Sequence, residues 1–117
     1  MSDGSLAVTE VRGDLRADRQ QLPVLDVGCG INKYPGAIGL DRNPHTAADV
    51  VADLNHFPFP FADTSFREIR AIHVIEHVAD VIGFMEEVHR LLAPGGGAVI
   101  VTIPISALFA ILLIVGT

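Results

Sequence analysis

The sequence predicts an α/β fold built on an open parallel sheet of about five strands. Three observations carry that expectation. Short apolar runs recur along the chain, and most of them stop at a glycine or an acid. They are apolar on both faces, as strands covered on both sides are. The segments between them are loops or helix, long enough for crossovers rather than hairpins.

The elements follow in order. Residues 1–21 are polar and mixed in charge, and read as a loose lead-in; the "RGD" at 12–14 is a chance tripeptide. "PVLDVG", 23–28, is a buried strand that stops at glycine. "GCGINKYPG" is rich in glycine, proline and asparagine, so it is a loop. "AIGLD", 37–41, is a second short strand ending in an acid, and "DVVADL", 49–54, a third. "NHFPFPFADTSF" carries two prolines and cannot form a regular helix. Phe57, Phe59 and Phe61 in it read as anchors in the core rather than a stacking platform. "EIRAIHVI", 68–75, is a fourth strand.

The helix is expected over residues 80–93. Val81, Phe84, Met85, Val88, Leu91 and Leu92 recur at helical spacing and form one apolar stripe. Asp80 is placed to cap its start, and Pro94 and Gly95 to stop it. Glu86, Glu87, His89 and Arg90 then fall on the wet side. "GAVIVTI", 97–103, is a fifth strand. The candidate domain is 22–104, followed by an apolar tail, 105–117.

Composition excludes several classes. Half of the 117 residues are hydrophobic, so a core can form and global disorder is excluded. The net charge is −6, and the basic residues, Lys33 and seven arginines, form no cluster. A nucleic-acid groove needs a basic stripe, so no nucleic-acid partner is expected. The single cysteine, Cys29, excludes an internal disulfide and points to a cytoplasmic location. The N-terminus has no apolar core of a signal peptide. The tail "ALFAILLIVG" is shorter than the roughly 20 apolar residues a spanning helix needs, so membrane insertion is disfavoured.

Open parallel sheets bind ligands at the carboxyl ends of their strands. Gly28, Asp41, Asp53 and the residues near His73 gather there. Glycines at 28 and 30 let the backbone turn sharply and approach a ligand closely. Position 33 is lysine, so this is not G-x-G-x-x-G, and Asp41 lies closer than the acid of a dinucleotide site. A carboxylate where Asp41 stands can accept both hydroxyl protons of a ribose. Asp53 lies where an attached base would extend. Short strands also end in Asp because it favours turns, and for either acid alone both readings stand.

Five segments carry a resemblance. "VLDVGCG", "IGLD", "VVADLNHFPFPFADTSF", "HVIEHV" and "MEEVHRLLAPGGGAVIVTIP" resemble, in order, the motifs of class I S-adenosylmethionine-dependent methyltransferases. The likeness spans about residues 23–104 and is greatest to the small-molecule group often labelled methyltransferase type 11. It implies a Rossmann-like core, S-adenosyl-L-methionine as cofactor and a small-molecule methyl acceptor. By the same resemblance Asp26, Gly28, Cys29 and Gly30 match the loop around the methionine part of the cofactor; Cys29 also reads as a small buried filler. Asp41 matches the acid that holds the ribose. Asp53 and Leu54 match the adenine contact, Leu54 through its backbone N–H. His73 matches the end of strand four, which lines the cofactor pocket.

The chain departs from the family in three places. Position 32 is asparagine where a third glycine is common. The link between the first two strands is about ten residues, the lower limit for a crossover, so its helix is one turn or absent. The family's C-terminal hairpin is missing after strand five, as in a truncated chain. The tail is then expected to cover that edge as strand or helix, or to serve a homodimer through the strand-five edge or the tail itself.

His73, Glu76 and His77 also spell H-x-x-E-H, the order of the inverzincins. Metal ligation needs a helix to bring them to one face, whereas His73 follows "REIRAI" and reads as the end of a strand. Pocket lining is therefore the favoured reading, with a metal-dependent hydrolase as an alternative. A non-catalytic cofactor-binding or partner subunit is the other. No general base stands out; His73 and His77 are the weak candidates.

Overall fold

The computed structural model describes residues 19–102 and the strand Ile111–Gly116. The lead-in, apart from Arg19–Gln21, tail residues 103–110 and residue 117 lie outside the described residues.

Five strands run parallel: β1 (Val24–Val27), β2 (Ile38–Asp41), β3 (Val50–Val51), β4 (Phe66–Ile72) and β5 (Leu92–Thr102). The order across the sheet is β3-β2-β1-β4-β5, with β6 (Ile111–Gly116) last. The parallel sheet of five strands is thus as expected. The tail adds a sixth strand, antiparallel to β5, with pairs running from Gly97–Gly116 to Thr102–Ile111. β5 is therefore not an edge: its free N–H and C=O groups are taken by the tail, the outcome that covers an apolar strand at least cost.

The boundaries differ in physically readable ways. β3 is two residues, not six: before it the Asp49 side chain accepts the Gly39 N–H of β2, and after it Asp53 turns the chain by accepting the Asn55 N–H. β4 stops at Ile72, and His73 takes a left-handed φ of +58°. β5 begins at Leu92, with an irregular pairing to β4 between Phe66 and Glu68, where Gly95 at φ +83° takes up the slack. No helix links β1 to β2, as the short spacing requires.

The helix α1 (Val81–Leu91) forms where expected but ends sooner: Leu92, read as part of its stripe, opens β5, and Pro94 and Gly95, read as its stop, lie within that strand. Asp80 accepts a bond from the Gly83 N–H at 2.8 Å and satisfies one of the first-turn donors. Its inner side presents Phe84, Val88 and Leu91 to the sheet residues Leu25, Val27, Leu40, Ile69, Ala71 and Ile100, all fully buried. Each of these side chains except that of Ala71 contributes roughly 1.5–3 kcal/mol. Phe59 closes this layer, its ring 6.3 Å from that of Phe84, and Phe61 stacks edge-on against Phe66 at 5.0 Å. The phenylalanine loop is anchored in the core as expected.

Two further expectations for α1 are corrected. Val81, read as part of the apolar stripe, is 44% exposed. Glu87 is buried, not on the wet side. Its carboxylate accepts the Phe59 N–H at 2.6 Å and two guanidinium donors of Arg90 at 2.6 and 2.8 Å. Arg90 also donates to the Phe59 and Phe61 carbonyls and to Asp63. A proline-broken loop cannot satisfy its own backbone, so this pair supplies the missing partners. The same bonds hold the Glu87 carboxyl below the usual range, chiefly through Arg90, and raise the Arg90 guanidinium.

Candidate functional site

At the carboxyl ends of β1, β2 and β4 the chain leaves a cleft of about 520 Å³. That size suits a ligand of cofactor dimensions. Gly28, Asp41, Asp53, Leu54 and His73 line it, and so does His77. Asp26, Cys29 and Gly30 do not.

The glycine loop explains the difference. Gly28 leaves β1 at φ +66°, and an added Cβ would stand 2.6 Å from a methyl of Val74. Only glycine fits there, so the main chain itself forms the floor of the cleft. The Gly28 N–H donates to the Leu40 carbonyl at 2.7 Å, tying the turn to β2. Gly30 has φ +59° and open space where a side chain would be.

Asp26 works beneath the loop. It is buried, and one carboxylate oxygen accepts the Tyr34 N–H at 2.8 Å. The Tyr34 ring lies under the Arg70 guanidinium, 4.1 Å from its centroid, and Arg70 pairs with Glu68 at 3.0 Å. Lys33 and the Gly39 N–H share the Asp49 carboxylate, each at 2.8 Å. They hold that carboxyl below its ordinary range, the Gly39 bond most. These ties stand in for the absent first helix. Cys29 is a buried filler packed toward Gly39, and burial, with Asp26 and Asp41 nearby, pushes its thiol up. It is not an activated nucleophile.

Asp41 joins loop and cleft. One oxygen accepts the Gly30 N–H at 3.0 Å and the other the Asn43 N–H at 3.0 Å. Each carboxylate oxygen has two acceptor positions, so one on each stays available toward the cleft. Asp53 makes an Asx turn, accepting the Asn55 N–H at 2.9 Å. It is a turn former, and it also lines the cleft.

Sequence reasoning missed Arg42, Asn55, Val74 and Val78, which also line the cleft. Asn55 bridges two loops by accepting the Ala79 N–H at 2.9 Å. The D-x-N spacing of Asp53 and Asn55 was the available signal for a turn; the contact with Ala79 had none.

His73 stands at the mouth, its N–H bonded to the Val101 carbonyl at 2.7 Å. Its Nδ1 lies 3.9 Å from a carboxylate oxygen of Glu76, whose other oxygen accepts from the Thr102 hydroxyl at 3.2 Å. The Glu76 carboxyl is held down first by its own backbone N–H and then by Thr102 and the two histidines. Glu76 and His77 sit on a single 3-10 turn, Ile75–His77, not on a helix shared with His73. Among the described residues no three His, Cys, Asp or Glu side chains gather to hold a metal ion. No helix among them is long and apolar enough to cross a membrane.

Comparison with known proteins gives the same direction. Residues 7–110 match the family described as a methyltransferase domain. The chain is 32% identical to a ubiquinone biosynthesis O-methyltransferase of Rhodopseudomonas palustris, covering 70% of this chain and 40% of that protein. It is 30% identical to a sterol 24-C-methyltransferase of Aspergillus fumigatus, over 67% of this chain and 27% of that one. Among solved structures it resembles an S-adenosylmethionine-dependent methyltransferase of Mesorhizobium loti, with 28% identity and a TM-score of 0.57, over 77% of this chain and 51% of that one. The chain spans less than half the length of the curated relatives it matches.

Proposed function

The chain belongs to the methyltransferase-domain family, and from that premise we propose that it binds S-adenosyl-L-methionine in the cleft and transfers its methyl group to a small molecule. The observation that carries the proposal is the junction of Gly28, Gly30 and Asp41. A floor of main chain without side chains lies beside a carboxylate that the loop itself holds in place. The fit is chemical as well as spatial: two acceptor positions on Asp41 match two vicinal hydroxyls, and the apolar Leu54, Val74 and Val78 match a flat base.

In this reading Asp41 accepts the ribose hydroxyls. Asp53 and the Leu54 N–H meet the adenine. The backbone at Gly28 and Gly30 meets the methionine part, while Asp26 and Cys29 support that loop from below. When bound, the cofactor supplies an electrophilic sulfonium methyl group. The protein's share of the work is then alignment of the acceptor and exclusion of water. His73 and His77, at the mouth, are the residues placed to take a proton from an acceptor that must lose one. The unit that does this is residues 22–104, working in the cytoplasm, where Cys29 stays reduced.

Calorimetric titration with S-adenosylmethionine and S-adenosylhomocysteine tests the proposal. Saturable binding of both with one-to-one stoichiometry is expected. Absence of binding by a folded chain sinks it, and binding with no transfer to any acceptor reduces the role to cofactor binding.

A further inference from the structure

Thr64 and His73 are the non-glycine residues that hold a positive φ among the described residues, and of the two only His73 lines the cleft. Such a backbone costs about 1–3 kcal/mol and persists where its surroundings fix it, often at a functional site. The surroundings of His73 are specific. Its N–H donates to the Val101 carbonyl at 2.7 Å, and the chain then coils into the 3-10 turn Ile75–His77. That turn returns Glu76 to the histidine ring, with one carboxylate oxygen 3.9 Å from Nδ1. The other oxygen accepts from the Thr102 hydroxyl of β5 at 3.2 Å. The Glu76 carboxyl, held below its ordinary range first by its own backbone N–H, is ionised at neutral pH. Glu76 itself does not line the cleft, so it reaches a ligand there only through His73.

We propose, resting on the cofactor site assigned to this cleft, that His73 takes the proton of a hydroxyl acceptor at Nε2 and that Glu76 positions it. A carboxylate beside one imidazole nitrogen holds the proton there and leaves the other nitrogen as the base. Nδ1 faces Glu76, so Nε2, across the ring, serves the cleft. The 3.9 Å contact is one of charge rather than a hydrogen bond, and such contacts tighten when a site is loaded. His77 also lies in the field of Glu76 and lines the cleft, but no carboxylate among the described residues is in ion-pair contact with it. Asp41, Asp53 and Arg42 are the other charged groups that line the cleft with His73. The acceptor class follows from the chemistry. A hydroxyl is a weak nucleophile until its proton leaves, whereas a neutral amine attacks with its own lone pair. As the hydroxyl oxygen bonds to the methyl carbon, the carbon–sulfur electron pair stays on sulfur and the proton passes to Nε2. Glu76 then balances the imidazolium charge, and the proton leaves to solvent.

Nitrogen-15 NMR of the histidine rings in the full chain, above the ordinary imidazole titration range, reads the tautomer. His73 is expected to carry its proton on Nδ1. Glu76→Ala is expected to cut that share at least about twofold and Thr102→Val by less, with the His77 ring unchanged. Methyl transfer from S-adenosylmethionine to phenol, catechol and ethanol, as hydroxyl probes, and to benzylamine, as an amine, reads the acceptor class. Transfer to a hydroxyl probe is expected, with kcat at least about tenfold lower in Glu76→Ala and an unchanged KM for S-adenosylmethionine. Should Glu76→Ala fail to fold, Thr102→Val is expected to show both effects in reduced form, and a Thr102→Val chain like wild type in both overturns the proposal. Calorimetry with S-adenosylhomocysteine separates the two readings. A folded wild-type chain that does not bind it overturns the cofactor site, and this step with it. With binding intact, the step alone is overturned by an Nδ1 proton indifferent to Glu76→Ala, by transfer to none of the hydroxyl probes, or by an equal loss for amine and hydroxyl.

Discussion

Replacing Asp41 separates the loop's architecture from its chemistry. In Asp41→Ala the Gly30 and Asn43 N–H groups both lose their acceptor, as do any hydroxyls that bind from the cleft side. A hydrogen bond to a charged group is worth about 1.5–3 kcal/mol net. Two such bonds from a ribose sum to about 3–6 kcal/mol, which is roughly a 10²- to 10⁴-fold loss of affinity. The structural loss is smaller. The Gly30 N–H is partly buried, and leaving it unpaired costs about 1–3 kcal/mol. Asp41→Asn keeps one acceptor oxygen but turns a donor toward the second N–H, so it is expected between wild type and Asp41→Ala. Calorimetry with S-adenosylhomocysteine reads the binding loss, and urea denaturation reads the stability loss. A folded Asp41→Ala chain that binds within about twofold of wild type refutes the assignment of Asp41 to the ribose.

Three other outcomes follow from the same geometry. Glu87→Ala strips the Phe59 N–H and Arg90 of their shared carboxylate and is expected to cost about 2–3 kcal/mol, discounted because Arg90 is partly exposed; an unchanged urea midpoint would contradict the buried clamp. His73→Val forces a β-branched residue to φ +58° and is expected to destabilise by about 1–2 kcal/mol relative to His73→Gly, so equal melts of the two variants would argue against the left-handed turn. Stability is expected to fall on acidification. The Glu87, Glu76 and Asp49 carboxyls are all depressed in the folded chain, so their contribution is complete above the unfolded carboxylate range near pH 4 and is lost as pH drops through the lower folded values. Glu87→Gln should flatten that slope; a variant with the wild-type acid profile would show that Glu87 does not contribute to it.

The order of elements was legible because local signals agreed. The apolar runs at Val24, Ile38 and Ile69 had strand length, the first two ending at Gly28 and Asp41, and the stripe through Phe84, Val88 and Leu91 had helical spacing with Asp80 ahead of it. Five of the eight residues assigned to the cofactor line the cleft, because strand ends in a parallel sheet converge on one rim. Asp26, Cys29 and Gly30 do not, for a reason that motif matching cannot express: the Asp26 carboxylate is taken by the Tyr34 N–H beneath the loop, Cys29 packs toward Gly39, and Gly30 is drawn to Asp41.

Glu87 shows where periodicity fails. Its place on the helical wheel is polar, and only the arrival of a loop 28 residues earlier in the chain, with an N–H to satisfy, makes that place interior. The contact between Asn55 and Ala79, the left-handed turn at His73 and the pairing of β6 with β5 are likewise products of chain segments meeting across long separations. Strand, helix and glycine turn were set by residues within a few positions of one another, so the bare sequence of this protein was enough to write them down. Which polar group lies inside, which carboxylate faces the cleft and which strand takes the outer edge depend on distant backbone groups that need partners. Those needs arise only after the chain has folded around them.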